Sequence, residues 1–417
     1  MSTPARSVIS LAASAVTAAM VGLASQSASA VDFDGYLRTG PGATAKGHAR
    51  ACYNLGISGG HYRLGNECDF YGEFGLAQTG NVDGVAWKAK VMFNEYNPGT
   101  DQGTSAAQFE QLYVEGQGFD ISPGTNFWIG KRFYGRADIH ILDTFFVRMD
   151  GVGAGADKIS LAGGKLVVAF FTSDTGAGFG DGGTGTSRTP GLRLNADLTE
   201  VPVNPGGTLR VTATFTKGNY DQQVVAPVTA AGTTGFGLSF QHIQDLKVIG
   251  GKNTLWLQFA QGSAGLDGNF GSMTSPNGVK KWRIVESPTW QMGPFGGQGD
   301  LIFGHHDADL GAPKFTELSV GGRGSYAVTK NFKLVAEAGY MQKKPDGQAT
   351  QKLAKFTFAP TLSTGPDFFN RPELRLYVTT AKWNAPANAA TGINGLTGLG
   401  DGKTKGTSYG AQAEIWF

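Results

Sequence analysis

Apolar and polar residues alternate along much of this chain, and the alternation is clearest from Tyr62 to Gln78, YRLGNECDFYGEFGLAQ. Leu64, Cys68, Phe70, Phe74 and Leu76 fall on one side. Arg63, Glu67, Asp69, Tyr71 and Glu73 fall on the other. A period of two predicts a β-strand, because successive side chains point to opposite faces. Tyr71 stands out as an aromatic among charges. Val31 to Arg38 repeats the arrangement, with Val31, Phe33 and Leu37 against Asp32, Asp34, Tyr36 and Arg38. A turn is expected at Thr79-Gly80-Asn81. Beyond it, Trp87, Ala89, Val91 and Phe93 alternate with Lys88, Lys90 and Asn94.

The same reading predicts strands over residues 109–118, 125–134, 161–172, 191–197, 208–220, 236–242 and 254–261. It continues over 279–286, 300–306, 317–328, 332–342, 353–360 and 373–383. Short turns such as Asn204-Pro205-Gly206-Gly207 alternate with longer Gly-rich loops, as in an up-and-down barrel. Gly135 to Met149 breaks the period by mixing Arg136, Asp138, His140, Asp143 and Arg148 with Ile139, Ile141, Leu142, Phe145 and Phe146. That mixture fits a loop folded into an interior. At the end of the chain Tyr409, Ala411, Ala413, Ile415 and Phe417 oppose Gln412, Glu414 and Trp416. Such a strand is unsuited to an open edge, and pairing with Val31 to Arg38 would close the sheet. In a bilayer that closure is obligatory, because unpaired backbone groups cannot be hydrated there.

Composition sharpens the membrane reading. The sequence holds 64 Gly, 27 Phe, 12 Tyr and 7 Trp, with only 16% charged residues. Residues 1–30 read as a secretory signal peptide: Arg6, an apolar run from Val8 to Leu23, and Ala28-Ser29-Ala30 as the cleavage site. Residues 31–417 then form one domain. Beyond the leader no apolar run is long enough for a membrane helix. Net charge is +2, or +1 without Arg6, which argues against a nucleic-acid partner. Cys52 and Cys68 are the only cysteines and follow an export signal, so a disulfide is expected.

Enzyme-like motifs carry little here. Gly406-Thr407-Ser408-Tyr409-Gly410 matches a nucleophile elbow, but a strand follows where an elbow needs a helix. Gly178, Gly180 and Gly183 match GxGxxG with no helix signal behind them. His305, His306, Asp307 and Asp309 read as a strand end and turn, and His140 as a structural loop residue. No catalytic pair, metal site or cofactor is expected. The misplaced rings say more. Tyr36, Tyr71 and Trp416 share the polar parity of their strands, and Phe369 shares the parity of Arg371, Glu373 and Arg375. An interfacial girdle would use the apolar face instead.

Several stretches resemble the maltoporin family of outer-membrane sugar channels: VDFDGYLRTG, YRLGNECDFYGEF, WIGKRFYGRADIHILD, VNPGGTL, NRPELRLYVTTAKW and GAQAEIWF, in order across residues 31–417. The resemblance implies an all-β, eighteen-stranded transmembrane antiparallel barrel in outer-membrane lipid, assembled as a homotrimer, with its third long loop constricting the pore. It implies an aromatic slide for sugars such as maltodextrins at Tyr36, Tyr71, Phe369 and Trp416, where Phe369 replaces the Trp of the familiar pattern. Tyr96 is the candidate for a further ring from the second loop. The implied polar track is Arg38, Arg63, Glu73, Arg136, Asp138 and Asp143. Two positions depart from the pattern: Glu110 stands for Arg, and Phe145 stands for Tyr at the constriction. A general diffusion porin, or a barrel serving as an adhesin or receptor, is the alternative reading.

Overall fold

The computed structural model describes residues 31–48, 51–97, 107–173, 191–217, 234–272, 275–309, 311–392 and 395–417. The expected leader and the Gly178–Gly183 motif lie outside them. Asp32–Thr39 and Gly42–Thr44 are two pieces of the first strand. Phe70–Val82, Val85–Asn97, Gln108–Gln117 and Asn126–Arg132 follow, then Gly151–Leu161, Gly164–Ser173, Gly191–Asn204 and Gly207–Lys217. Next come Thr234–Leu246, Gly251–Gly262, Lys280–Met292, Phe295–His306, Phe315–Thr329 and Phe332–Pro345. Gln351–Ser363, Glu373–Trp383 and Lys405–Trp416 complete the sheet. Both pieces of the first strand pair with the last, so the sheet closes as an eighteen-stranded antiparallel barrel. No helix among the described residues is long and apolar enough to cross a membrane.

The wall is polar inside and apolar outside. In Glu373–Trp383, Leu374, Leu376 and Val378 are 57%, 64% and 53% exposed, while Glu373, Arg375 and Tyr377 are 3%, 3% and 4% exposed. A closed sheet with this pattern satisfies its backbone internally and presents hydrocarbon to lipid. Aromatic pairs such as Trp282–Phe303 and Trp290–Phe295 mark the outer surface near opposite ends of their strands.

Two segments fold into the barrel. One, residues 133–150, carries the short hairpin Ala137–Ile139 and Thr144–Val147 around a single 3-10 turn, His140–Leu142. Ile139, Ile141, Leu142, Phe146, Val147 and Met149 are fully buried, as the broken period predicted. Burying each such side chain contributes about 1.5–3 kcal/mol. The wall holds this segment by its backbone: Gln258 donates to the Phe146 carbonyl, Arg210 to that of Gly135, and Arg193 to those of Met149 and Asp150.

The other inward segment, residues 51–69, corrects the strand expected from Tyr62. The strand starts only at Phe70. Upstream of it Tyr62, Arg63, Leu64, Asn66 and Glu67 are all buried between the wall and the first inward segment, and Cys52–Cys68 closes the segment with a disulfide. The Tyr62 ring sits on Gly321 and Gly339, which face each other across adjacent strands. A Cβ there would come within 2.4 and 2.2 Å of the ring. The Tyr62 hydroxyl donates to Asp300 at 3.0 Å, and Lys355 donates to the Tyr62 and Leu64 carbonyls.

Two smaller corrections follow from glycine. The first hairpin turn falls on Asp83-Gly84 rather than on Thr79-Gly80-Asn81. Both residues have the positive φ that a tight hairpin demands. The strand Gly151–Leu161 gave no sequence signal. Its glycines make room: a Cβ on Gly155 would meet the buried Trp128 ring at 2.8 Å.

Candidate functional site

Closure of the barrel assembles a row of rings from opposite ends of the chain. The register sets Tyr36 opposite Trp416 and Arg38 opposite Glu414 on one side. On the other it sets Tyr36 opposite Glu73 and Arg38 opposite Tyr71. Directly opposed residues share a face, so Tyr36, Tyr71 and Trp416 all point into the barrel. The Tyr36 and Tyr71 ring centroids are 6.2 Å apart. Tyr96 is paired opposite Tyr71 and is 53% exposed; it belongs to the strand Val85–Asn97 rather than to the loop beyond. Phe369 reaches the row differently from the parity argument. It sits in the turn before Glu373, not on a strand, and packs edge-on against Phe368 at 4.8 Å. His140 links it to the others, meeting Trp416 at 5.4 Å and Phe369 at 6.0 Å.

Behind the rings lies an ion network. Arg38 pairs with Asp143 at 2.5 Å, Asp69 at 2.6 Å and Glu67 at 3.0 Å. Arg63 is buried, pairing with Glu67 at 2.6 Å and Glu414 at 3.1 Å, and donates to the Tyr36 hydroxyl. Arg63 therefore backs a ring rather than lining the lumen. Burial works to raise the Asp143 carboxyl, but Arg63 and Arg38 outweigh it and hold it well below the usual range. Burial also drives the His140 imidazole well below its ordinary pKa, against the pull of Glu414. Its Nε2 lies 2.9 Å from Arg371 Nη2; an arginine can only donate, so Nε2 is the accepting nitrogen.

The inward hairpin carries the remaining candidates. Arg136 is pinned to Asp150, with Nε at 2.9 Å, and its guanidinium lies over Phe133 at 3.2 Å and Phe145 at 4.7 Å. Phe145, expected at the constriction, thus serves as one wall for this cation. Asp138, paired opposite Phe145, is exposed, and among the described residues no cation lies within ion-pair distance of it. It reaches water, yet the surrounding protein still strips enough solvent to raise its carboxyl above the usual range, against Arg63.

Glu73 and Glu110 flank Tyr71. The Tyr71 hydroxyl donates to Glu73, and Asn94 donates to Glu110 at 2.7 Å. A register shift between Met92 and Phe93 leaves Glu110 as the extra residue of its strand, which is what aims it at Asn94 instead of at lipid. Among the motifs set aside from sequence, Ser408 is buried in the last strand beside the Tyr53 hydroxyl. His305 and His306 turn to different carboxylates, Asp307 and Glu317, each at 3.2 Å. Glu414, Arg371 and Glu67 were not singled out by the sequence. Their parity or charge was visible, but their partners lie up to 378 residues away.

A model of the LamB porin family matches residues 31–417. Among solved structures the chain is similar to OpdK of Pseudomonas aeruginosa, solved with vanillate. Identity is 10%, with 93% of this chain and 99% of that chain covered and a TM-score of 0.49. It is also similar to the anion-selective porin of Comamonas acidovorans, at 10% identity, 93% and 99% coverage and a TM-score of 0.48. OmpT of Vibrio cholerae in its trimer form is similar at 12% identity, 93% and 99% coverage and a TM-score of 0.45.

Proposed function

Because this chain belongs to the LamB porin family and its barrel spans the outer membrane, we propose that it conducts sugars by passive diffusion. The solutes are maltodextrins or another oligosaccharide, and they pass along Tyr71, Tyr36, Trp416 and Phe369. The observation that carries this reading is the row of inward rings with charged groups on its flanks. A pyranose has apolar C–H faces and a belt of hydroxyls. The rings cover the faces. Carboxylates such as Glu73 and Asp138 accept from hydroxyls, and Arg38 and Arg136 donate to their oxygens. A row of similar sites lets the sugar move by exchanging one set of partners for the next. Each site must stay weak for the sugar to leave. A dissociation constant of about 1 mM, or about −4 kcal/mol, meets that need. No bond changes and no cofactor takes part.

In this reading the barrel assembles as a homotrimer of three separate pores. The test is planar-bilayer conductance with added sugars. Saturable, chain-length-dependent block supports the proposal. Open pores that neutral sugars never block would instead mark a general diffusion porin.

A further inference from the structure

We propose that Glu414 is the positioning residue of the ring row: one buried carboxylate that holds Tyr36 through its hydroxyl and Trp416 through Arg371. The proposal rests on reading that row as the sugar path. Glu414 lies two residues before Trp416 on the inward face of the last strand and is 1% exposed. Its Oε1 accepts from the Tyr36 hydroxyl at 3.0 Å and lies 3.1 Å from Arg63 Nη2. Its Oε2 accepts from Arg371 Nε at 2.9 Å and from Arg375 Nη2 at 2.5 Å. The Arg371 guanidinium in turn lies 4.4 Å from the Trp416 ring centroid.

Arg371 also donates to His140, which meets Trp416 and Phe369 edge-on. Tyr36 is therefore one contact, Trp416 two and Phe369 three from the same carboxylate. Its partners come from separate pieces of chain: the first strand, the Cys52–Cys68 segment, the turn before Glu373 and the strand Glu373–Trp383. A purely stabilising ion pair needs no such convergence. A carboxylate with both oxygens engaged by four donors fixes where those donors can sit, and so fixes the rings they carry. Rings fixed before the solute arrives need not be ordered by it, which tightens binding without adding a contact.

Tyr36→Phe keeps the ring and removes only the hydroxyl, which Glu414 and Arg63 both engage. Glu414→Gln keeps the shape, but one amide oxygen cannot serve three guanidinium groups and a hydroxyl together. In planar bilayers each variant is expected to weaken block by a linear maltooligosaccharide about fivefold, mainly by faster release, because a freed side chain must be re-ordered. The double variant is expected to match Glu414→Gln rather than lose about 25-fold, since Glu414→Gln already breaks the Glu414–Tyr36 link that Tyr36→Phe removes. Parent-like block by Tyr36→Phe, or a multiplied loss in the double variant, overturns the proposal. If Glu414→Gln fails to assemble, Tyr36→Phe alone decides. If no sugar blocks even the parent pore, the sugar path is refuted, and the role of Glu414 is read from a crystal structure of Tyr36→Phe. A Tyr36-position ring displaced by more than about 0.5 Å supports it; a superimposed ring overturns it.

Discussion

Asp138 and Asp143 both lie on the inward hairpin, but their surroundings separate them. Asp143 is balanced by Arg38 and Arg63, whereas Asp138 faces water with no paired cation among the described residues. Asp138→Asn is therefore expected to lower the preference for potassium over chloride, read as a shift in reversal potential under a salt gradient. Adding Asp143→Asn lowers it further by unmasking the two arginines. The pH dependence has a definite sign. Desolvation raises the Asp138 carboxyl, so acidification removes its charge at a higher pH than for an ordinary aspartate. Cation preference in the parent falls through that range, and the Asp138→Asn pore lacks the step. Asp143 stays charged there, because the arginines hold it low. Superimposable pH profiles for the two pores would contradict this assignment. The family resemblance and the mix of charged and apolar residues in their segment made Asp138 and Asp143 candidates; which of them is neutralised depends on Arg38 and Arg63, which arrive from other segments.

At the scale of elements, the Cys52–Cys68 segment shows where reading by period ends. An extended chain alternates whether it is hydrogen-bonded into a sheet or lies against one, so Tyr62 to Asp69 looked like strand. In the structure it lies between the barrel wall and the inward hairpin, which is why both of its faces are buried. The opposite error occurred at Gly151–Leu161, a true strand hidden because its glycines clear space for neighbours such as Trp128. Phe369 comes to lie against His140 for a reason parity did not contain, since a turn delivers it. The expected disulfide is present, and replacing both cysteines with serine is expected to cost about 3 kcal/mol in the chain-entropy model, read by denaturant unfolding. Unchanged stability would show that the wall contacts alone hold the segment. Gly339→Val places atoms where the Tyr62 ring lies, so it is expected to displace the segment and raise single-channel conductance. A folded Gly339→Val barrel with parental conductance would count against the seat.

For the whole molecule, closure does the organising. The terminal strands were legible as partners because both are amphipathic and neither suits an open edge. Once they pair, Tyr36 and Trp416 become neighbours and the row exists. The proposed homotrimer predicts a heat-modifiable species of three chains in mild detergent, and a monomeric conducting barrel by native mass spectrometry would contradict it. The sugar path itself is tested most directly by titrating block of single pores with a linear oligosaccharide series. The parent is compared with Tyr36→Ala, Tyr71→Ala, Phe369→Ala and Trp416→Ala. Each ring contributes about 0.5–1.5 kcal/mol beyond its area, so affinity is expected to fall about threefold to tenfold per substitution. Ion conductance should hold or rise, because the lumen widens. If all four variants fold and bind sugars like the parent, the inward rings are not the path that sugars take.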